Sequence, residues 1–119
     1  MIRFALPVMT FEGLSSKVFE HFGRSESFAI IEIDGDQILS VSAINIGSSP
    51  DGNEIKPAEL LADHGVNVVL TSNIGPCHTN PILDRGIRLY SGANGTVKEA
   101  LGNYYSDKLK EVQKTRYGF

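Results

Sequence analysis

The feature that most limits how this chain can fold is residues 27–46, two apolar runs separated only by Gly35-Asp36. The first, Ser27-Phe28-Ala29-Ile30-Ile31-Glu32-Ile33-Asp34, is rich in β-branched residues. The second, Gln37 to Ile46, alternates apolar and polar positions. A connection this short reverses the chain and permits only an antiparallel pair. A hairpin therefore stands near the start of the fold, and the remaining elements are arranged around it.

Before the hairpin, Ile2 to Val8 reads as a strand with Pro7 marking its end, and Met9 to Gly13 as a loop. Ser15 or Ser16 is placed to cap a short helical turn through Val18, Phe19 and Phe22, with Gly23 as a left-handed exit. After the hairpin, residues 47–53 form a Gly- and Ser-rich loop. A helix is predicted over 54–64, with Pro57 in its first turn and Gly65 as its stop. Residues 66–71 are a short apolar strand of the kind buried on both faces. Pro81 would lack the N–H that a helix begun at Pro76 needs, leaving the carbonyl of Cys77 without its donor. The spacing therefore predicts a helix from Pro81 to Gly86 with Asn80 as cap, and a loop over 75–79.

Residues 87–90 form the last predicted strand. A glycine-rich turn, Ser91 to Gly95, leads to a helix opened by a Thr96–Glu99 capping box. Val97, Ala100, Leu101, Tyr104 and Leu109 supply its apolar face, weakened at Gly102 by about 1 kcal/mol.

With strands numbered in chain order, two helical crossovers and one hairpin give a five-stranded mixed sheet of order 3-2-1-4-5, strand 2 antiparallel. Helices cover both faces, a three-layer α/β/α arrangement of the ribonuclease-H-like type. The loops over 9–26, 47–53, 72–80 and 91–95 then share one sheet edge. Strands 1 and 4 are neighbours with diverging connections, where open α/β sheets favour ligands.

The length of 119 residues suits one domain, read as residues 1–104 with a helical extension or tail over 105–119. A net charge of −3 argues against a nucleic-acid footprint. The basic cluster Lys108, Lys110, Lys114 and Arg116 is interrupted by Asp107 and Glu111 and reads as a solvated face. No apolar run reaches the roughly 18 residues of a membrane span, and the N-terminus lacks a signal-peptide pattern, so a cytoplasmic protein is expected. Cys77 is the single cysteine, which excludes an internal disulfide and a Cys₄ metal site within one chain.

Several stretches together resemble one family. They are Ile2 to Val8, Leu14 to Val18 with Glu20-His21-Phe22-Gly23-Arg24, Phe28 to Ile31, Gly65 to Leu70 with Ile74-Gly75-Pro76, and Gly86 to Tyr90 with Gly95 to Ala100. Their order over roughly residues 1–104 resembles the dinitrogenase iron–molybdenum cofactor biosynthesis family (NifX, NafY and the C-terminal domain of NifB). The resemblance implies a ribonuclease-H-like fold and a non-enzymatic carrier of iron–sulfur, molybdenum–iron or molybdenum–copper sulfur clusters. It implies no link to nitrogen fixation by itself. The family's His-Phe-Gly-Arg motif falls on His21 to Arg24, and its Gly-Pro turn on Gly75-Pro76. Cys77, His78 and Pro81 depart from its pattern.

The candidate cofactor-binding residues are His21, Arg24, Gly75, Cys77 and His78, with His21, Cys77 and His78 as metal ligands; Cys77 and His78 are assigned from their chemistry, not from the resemblance. Imidazole suits iron and copper, and thiolate suits soft metals. A cluster's own sulfides reduce the number of protein ligands required. Each residue also has a plainer reading: His21 as a loop brace, Arg24 as an ion-pair partner of Glu20 or Glu26, Cys77 as a small buried hydrophobe. The start of the helix at Thr96 is a weak anion site and more simply an ordinary cap. His64 reads as a favourable charge at a helix C-terminus.

Carriage of a metal–sulfur cluster or its precursor, with a cluster donor or acceptor protein as partner, is the leading function, in a monomer or a homodimer. The alternative is a binding module for a small anion or a protein that carries no metal. A ribonuclease-H-type nuclease needs a carboxylate on the first strand, and Ile2 to Val8 has none. A thiol redox protein would need a second, resolving cysteine.

Overall fold

In the computed structural model, which describes residues 1–46 and 56–114, the hairpin is present as β2 (Ser27–Asp34) and β3 (Gln37–Asn45). β1 (Ile2–Val8) pairs antiparallel with β2 and parallel with β4 (Val68–Leu70), and β4 pairs parallel with β5 (Arg88–Ser91). The sheet does not stop there. A two-residue strand, β6 (Lys110–Glu111), pairs antiparallel with β5, so the order is β3-β2-β1-β4-β5-β6: six strands rather than the expected five.

β1 lies near the centre of the sheet, between β2 and β4, with Phe4, Ala5, Leu6 and Val8 fully buried. Alternation along it separates two cores. Phe4, Leu6 and Val8 pack with Ala29, Ile31, Leu70, Val97 and Leu101 beneath helix α3 (Val97–Tyr105). Ala5 packs on the other face with Phe22, Phe28, Leu61, Val69 and Ile82, beneath α1 (Pro57–Asp63) and α2 (Pro76–Asp84). Pro7 lies inside β1 rather than beyond it. The last β1–β4 pair is Ala5 with Val69, so the missing N–H falls where that ladder has ended, and the Pro7 carbonyl accepts from Phe19 N–H at 2.8 Å.

The expected helical turn over 15–22 is largely replaced by extended chain. Val18 bridges back to Val8, Lys17 bridges to Thr96, and Val18 N–H donates to the Gly95 carbonyl at 2.9 Å. The reason lies in the first turn of α3, whose orphan donors need acceptors. Val97 N–H donates to the Ser16 carbonyl at 2.8 Å and Lys98 N–H to that of Leu14 at 3.0 Å, carbonyls that a helix through this segment would use internally. Helicity appears only as a 3₁₀ turn at Phe22–Arg24, and Gly23 does not take the left-handed conformation.

α1 is described from Pro57, with Lys56 as N-cap. The expected start at Glu54, the loop over 47–53 and Arg116 in the tail lie outside the described residues. At its other end the Arg3 guanidinium donates to the His64 carbonyl and to Glu32 at 3.0 Å. Arg3 is therefore a cation at this helix terminus, and the His64 ring, expected there, shares a 2.9 Å hydrogen bond with the Leu60 carbonyl.

The chain after α3 is pinned to β5. Val112 N–H donates to the Leu89 carbonyl at 2.8 Å, Arg88 forks onto the Glu111 carboxylate with two 3.1 Å bonds, and Lys114 pairs with Asp84 at 2.7 Å. Leu109 packs on the α3-side core from this segment, outside the helix in which it was expected. Among the described residues, no helix is long and apolar enough to cross a membrane.

Candidate functional site

Two loops leave the C-terminal ends of β1 and β4, and they meet. His21 and Asn73 form a parallel bridge, so the segment carrying His21 to Arg24 runs alongside the one leading to Gly75. Thr71, fully buried at the end of β4, donates its hydroxyl to the Asn73 carbonyl at 3.3 Å and braces that turn. Phe22 anchors the first loop. Its ring is 2% exposed, with centroid distances of 5.3 Å to Phe28 and 5.4 Å to His78.

α2 begins at Pro76, not at Pro81, and Gly75 is its N-cap rather than Asn80. Proline at the first helical position is pre-set for helix and has no N–H to lose there. His78 and Thr79 N–H both donate to the Gly75 carbonyl at 3.1 Å, and the Thr79 hydroxyl adds a 3.0 Å bond to the same oxygen. Pro81 sits inside the helix and forfeits only the bond to the Cys77 carbonyl, at an exposed residue. A single lost bond on the solvent side is outweighed by burial of Thr79 and Ile82 on the other.

This start moves Cys77 and His78 into the first turn of α2. Cys77 is exposed, and no side chain caps the helix there. His78 is half-buried against Phe22 and Gly23. A Cβ added at Gly23 would lie 2.7 Å from His78 Nε2, below any normal contact, so a side chain at this position would force the His78 ring to shift. Cys77 and His78 line a cavity of about 370 Å³ with Phe22, Lys56, Glu59 and Arg85. Arg85 bridges the two helices through Glu59 at 3.4 Å.

His21 and Arg24 open on a second, shallower cavity of about 460 Å³, shared with Asn73 and Gly75. Both side chains are exposed, and the His21 ring stands edge-on to Phe19 at 5.9 Å. Among the described residues Arg24 has no ion pair, so neither Glu20 nor Glu26 holds it. Phe22 lines both cavities, as a ridge between them. Thus Gly75 and Arg24 share a cavity with His21, whereas Cys77 and His78 lie on the far side of the ridge. Among the described residues, no three His, Cys, Asp or Glu side chains converge as they would around one metal ion.

The start of α3 is closed. The Thr96 hydroxyl accepts from Glu99 N–H at 3.1 Å, and Thr96 N–H donates to the Glu99 carboxylate at 3.2 Å. With Val97 and Lys98 already satisfied, the plain cap is what is found. The sequence reading missed Lys56, Glu59 and Arg85, which reach the site only through α1–α2 packing. It also missed the Phe22–Gly23 contact with His78. The Gly75-Pro76 pair, an N-cap followed by proline at the first helical position, was the available signal for Cys77.

Comparison with known proteins gives a consistent grouping. Residues 3–107 match the family described as dinitrogenase iron–molybdenum cofactor. An uncharacterized protein of Methanocaldococcus jannaschii is 27% identical over 115 residues, 95% of this chain and 93% of that protein. A Thermotoga protein solved by NMR, described as a candidate NifB protein of the DUF35 family, is 27% identical with a TM-score of 0.73, covering 99% of this chain and 100% of the other. The apo form of the orange protein from Desulfovibrio gigas superposes with a TM-score of 0.81 over 98% of this chain and 97% of the other. At 22% identity it speaks to the fold alone.

Proposed function

Because the chain belongs to the dinitrogenase iron–molybdenum cofactor family, we propose that it carries a metal–sulfur cluster, or a precursor of one, at the edge where the β1 and β4 loops meet. The observation that supports this reading is the His21–Asn73 pairing, which sets His21, Arg24 and Gly75 beside the first turn of α2 with its exposed Cys77. The cargo is an iron–sulfur, molybdenum–iron or molybdenum–copper sulfur cluster. Its anionic character suits Arg24, Lys56, Arg85 and the uncapped N-terminus of α2.

The donor set fits a cluster better than a single ion. One ion needs its ligands gathered within bonding distance, and the Phe22–Gly23 ridge keeps His21 from Cys77 and His78. A polynuclear cluster brings its own sulfides and spans that ridge, with the Cys77 thiolate on one side and the His21 imidazole on the other. His78, already wedged on Gly23, is the third ligand or the brace that holds Cys77 in place. The role is carriage without catalysis, in the cytoplasm, between a donor and an acceptor protein. The sheet order fits a ribonuclease-H-like scaffold whose first strand lacks the metal-binding carboxylate of the nucleases.

The test is anaerobic reconstitution with iron and sulfide, then with molybdate and copper, followed by metal analysis and visible absorption. Wild type is expected to retain coloured metal, and the Cys77→Ala, His21→Ala double variant to lose it. Equal retention by both, or none by either, removes the proposed site. A second reading, a small-anion module without metal, is favoured by the Arg24, Lys56 and Arg85 cations. It predicts molybdate binding by calorimetry that survives loss of Cys77.

A further inference from the structure

The outer strand β3 is unusual for an edge. Among the described residues it pairs only with β2, and its other side is open. It runs for nine residues, Gln37-Ile38-Leu39-Ser40-Val41-Ser42-Ala43-Ile44-Asn45, without a charge, a proline or a glycine. Ile38, Leu39 and Val41 are 47%, 53% and 36% exposed. Monomeric proteins normally protect an edge of this length with charge, proline or brevity. The opposite edge does so: β6 has two residues, Lys110 and Glu111.

We propose that the free edge of β3 pairs antiparallel with β3 of a second copy of this chain, about a two-fold axis at Val41. The order of residues supports this occupant, because the strand reads nearly the same outward in both directions from Val41. A two-fold axis normal to a sheet places residue 41 opposite itself and residue 40 opposite residue 42. Ser40 of each copy then meets Ser42 of the other on one face. On the other face, shared with α3 because Val41 and Ala43 stand opposite Ile31 and Ala29, Val41 meets Val41. The one irregularity also fits. The register shifts so that Ile38 and Ser40 oppose Ile33 and Glu32, which makes Leu39 the extra, bulged residue. In the pair, the small side chain of Ala43 from the second copy faces this bulge and leaves room for Ile38 and Leu39.

No charge meets a like charge anywhere in this arrangement, which isologous pairing of a charged strand would enforce. The exposed apolar surface also continues off the strand. Ile38 shares an apolar trough of about 520 Å³ with Leu14, Ile33, Leu101 and Tyr105. Joining the two strands brings the two troughs to one side of a continuous twelve-stranded sheet, twice the six of one copy. The axis is at the outer edge of β3, so the loops after β1 and β4 stay open to their own partners.

Size-exclusion chromatography with light scattering tests the pairing. Wild type is expected at twice the 13.0 kDa chain mass, and Val41→Lys, which sets two ammonium groups against each other, at the single mass with unchanged circular dichroism. A wild-type monomer up to millimolar concentration, or a folded Val41→Lys dimer, overturns the proposal. Should Val41→Lys misfold, oxidation of Cys variants in a Cys77→Ser background decides. Val41→Cys is expected to cross-link, since directly opposed residues lie about 5 Å apart. Ser42→Cys is expected not to, because its two Cα atoms lie about 8 Å apart, beyond disulfide reach. Failure of Val41→Cys to cross-link, or equal cross-linking at both positions, sinks the register and the proposal with it.

Discussion

α2 and α3 start at the same edge of the sheet, each after a parallel strand, yet their first turns are treated in opposite ways. α3 is closed on every side: its capping box satisfies two donors, and the carbonyls of Leu14 and Ser16 take two more. α2 starts from a bare glycine, with no side-chain cap, an exposed thiol and a proline in its interior. The closed start contributes stability and leaves nothing free for a ligand. The open start has no side-chain cap: Pro76 brings no N–H, the Gly75 carbonyl takes those of His78 and Thr79, and the thiol of Cys77 is left exposed. Backbone groups that the fold has already used are lost to binding, so function is expected where capping is poorest.

That contrast can be broken or sharpened by substitution, taken from the largest effect downward. Phe22→Ala removes the ridge shared by both cavities and should cost about 3–5 kcal/mol in urea unfolding, as for other buried aromatic truncations. Cys77→Ala in the same assay should change stability by less than about 0.5 kcal/mol while abolishing cluster retention, because the residue is exposed. If Cys77→Ala is instead strongly destabilising, the thiol is structural and the open-start argument fails.

Pro81→Ala should stabilise the protein by about 2 kcal/mol. An interior proline costs about 3 kcal/mol against alanine, partly offset by its restriction of the unfolded chain. A gain in melting temperature checks this, and a loss would mean that Pro81 fixes the cavity wall. Thr96→Ala should cost about 1 kcal/mol through the lost cap, with cluster retention unchanged. Gly75→Asn provides α2 with the cap it lacks. A gain of about 0.3 kcal/mol is expected, together with weaker cluster retention in the metal analysis. Unchanged retention would show that the α2 N-terminus takes no part.

Much of this arrangement was legible in the residues. The hairpin was, because a two-residue Gly-Asp turn leaves no alternative pairing, and so was the capping box, because its two side chains form a local motif. The meeting of residues 18–24 with residues 73–80 followed from strand order, since β1 and β4 are neighbours. The errors occurred where non-local partners overrode local preference. Residues 15–22 can form a helical turn by themselves, but the first turn of α3 takes the Leu14 and Ser16 carbonyls, and Lys17 and Val18 bridge to Thr96 and Val8 instead. At Pro81, one missing bond is outweighed by the proline at the first helical position, Pro76, and by an apolar underside. β6 carries no signal of its own, being two residues held by Arg88, whose fork onto Glu111 exists only after β5 is in place. The basic side of the cavity, Lys56 and Arg85, depends on how α1 and α2 pack and could not be read from spacing.

The His21–Asn73 bridge also bears on the timing of folding. β1, β2 and β3 form a local meander that can assemble as soon as residues 1–46 are available. The bridge instead joins this meander to the later β4–α2 half, and non-local closure of that kind is slow. The two walls of the site are therefore joined by contacts far apart in sequence. On the proposed reading, a half-folded chain has its hairpin but no seat for a cluster, and cluster capture would report that the two halves have joined.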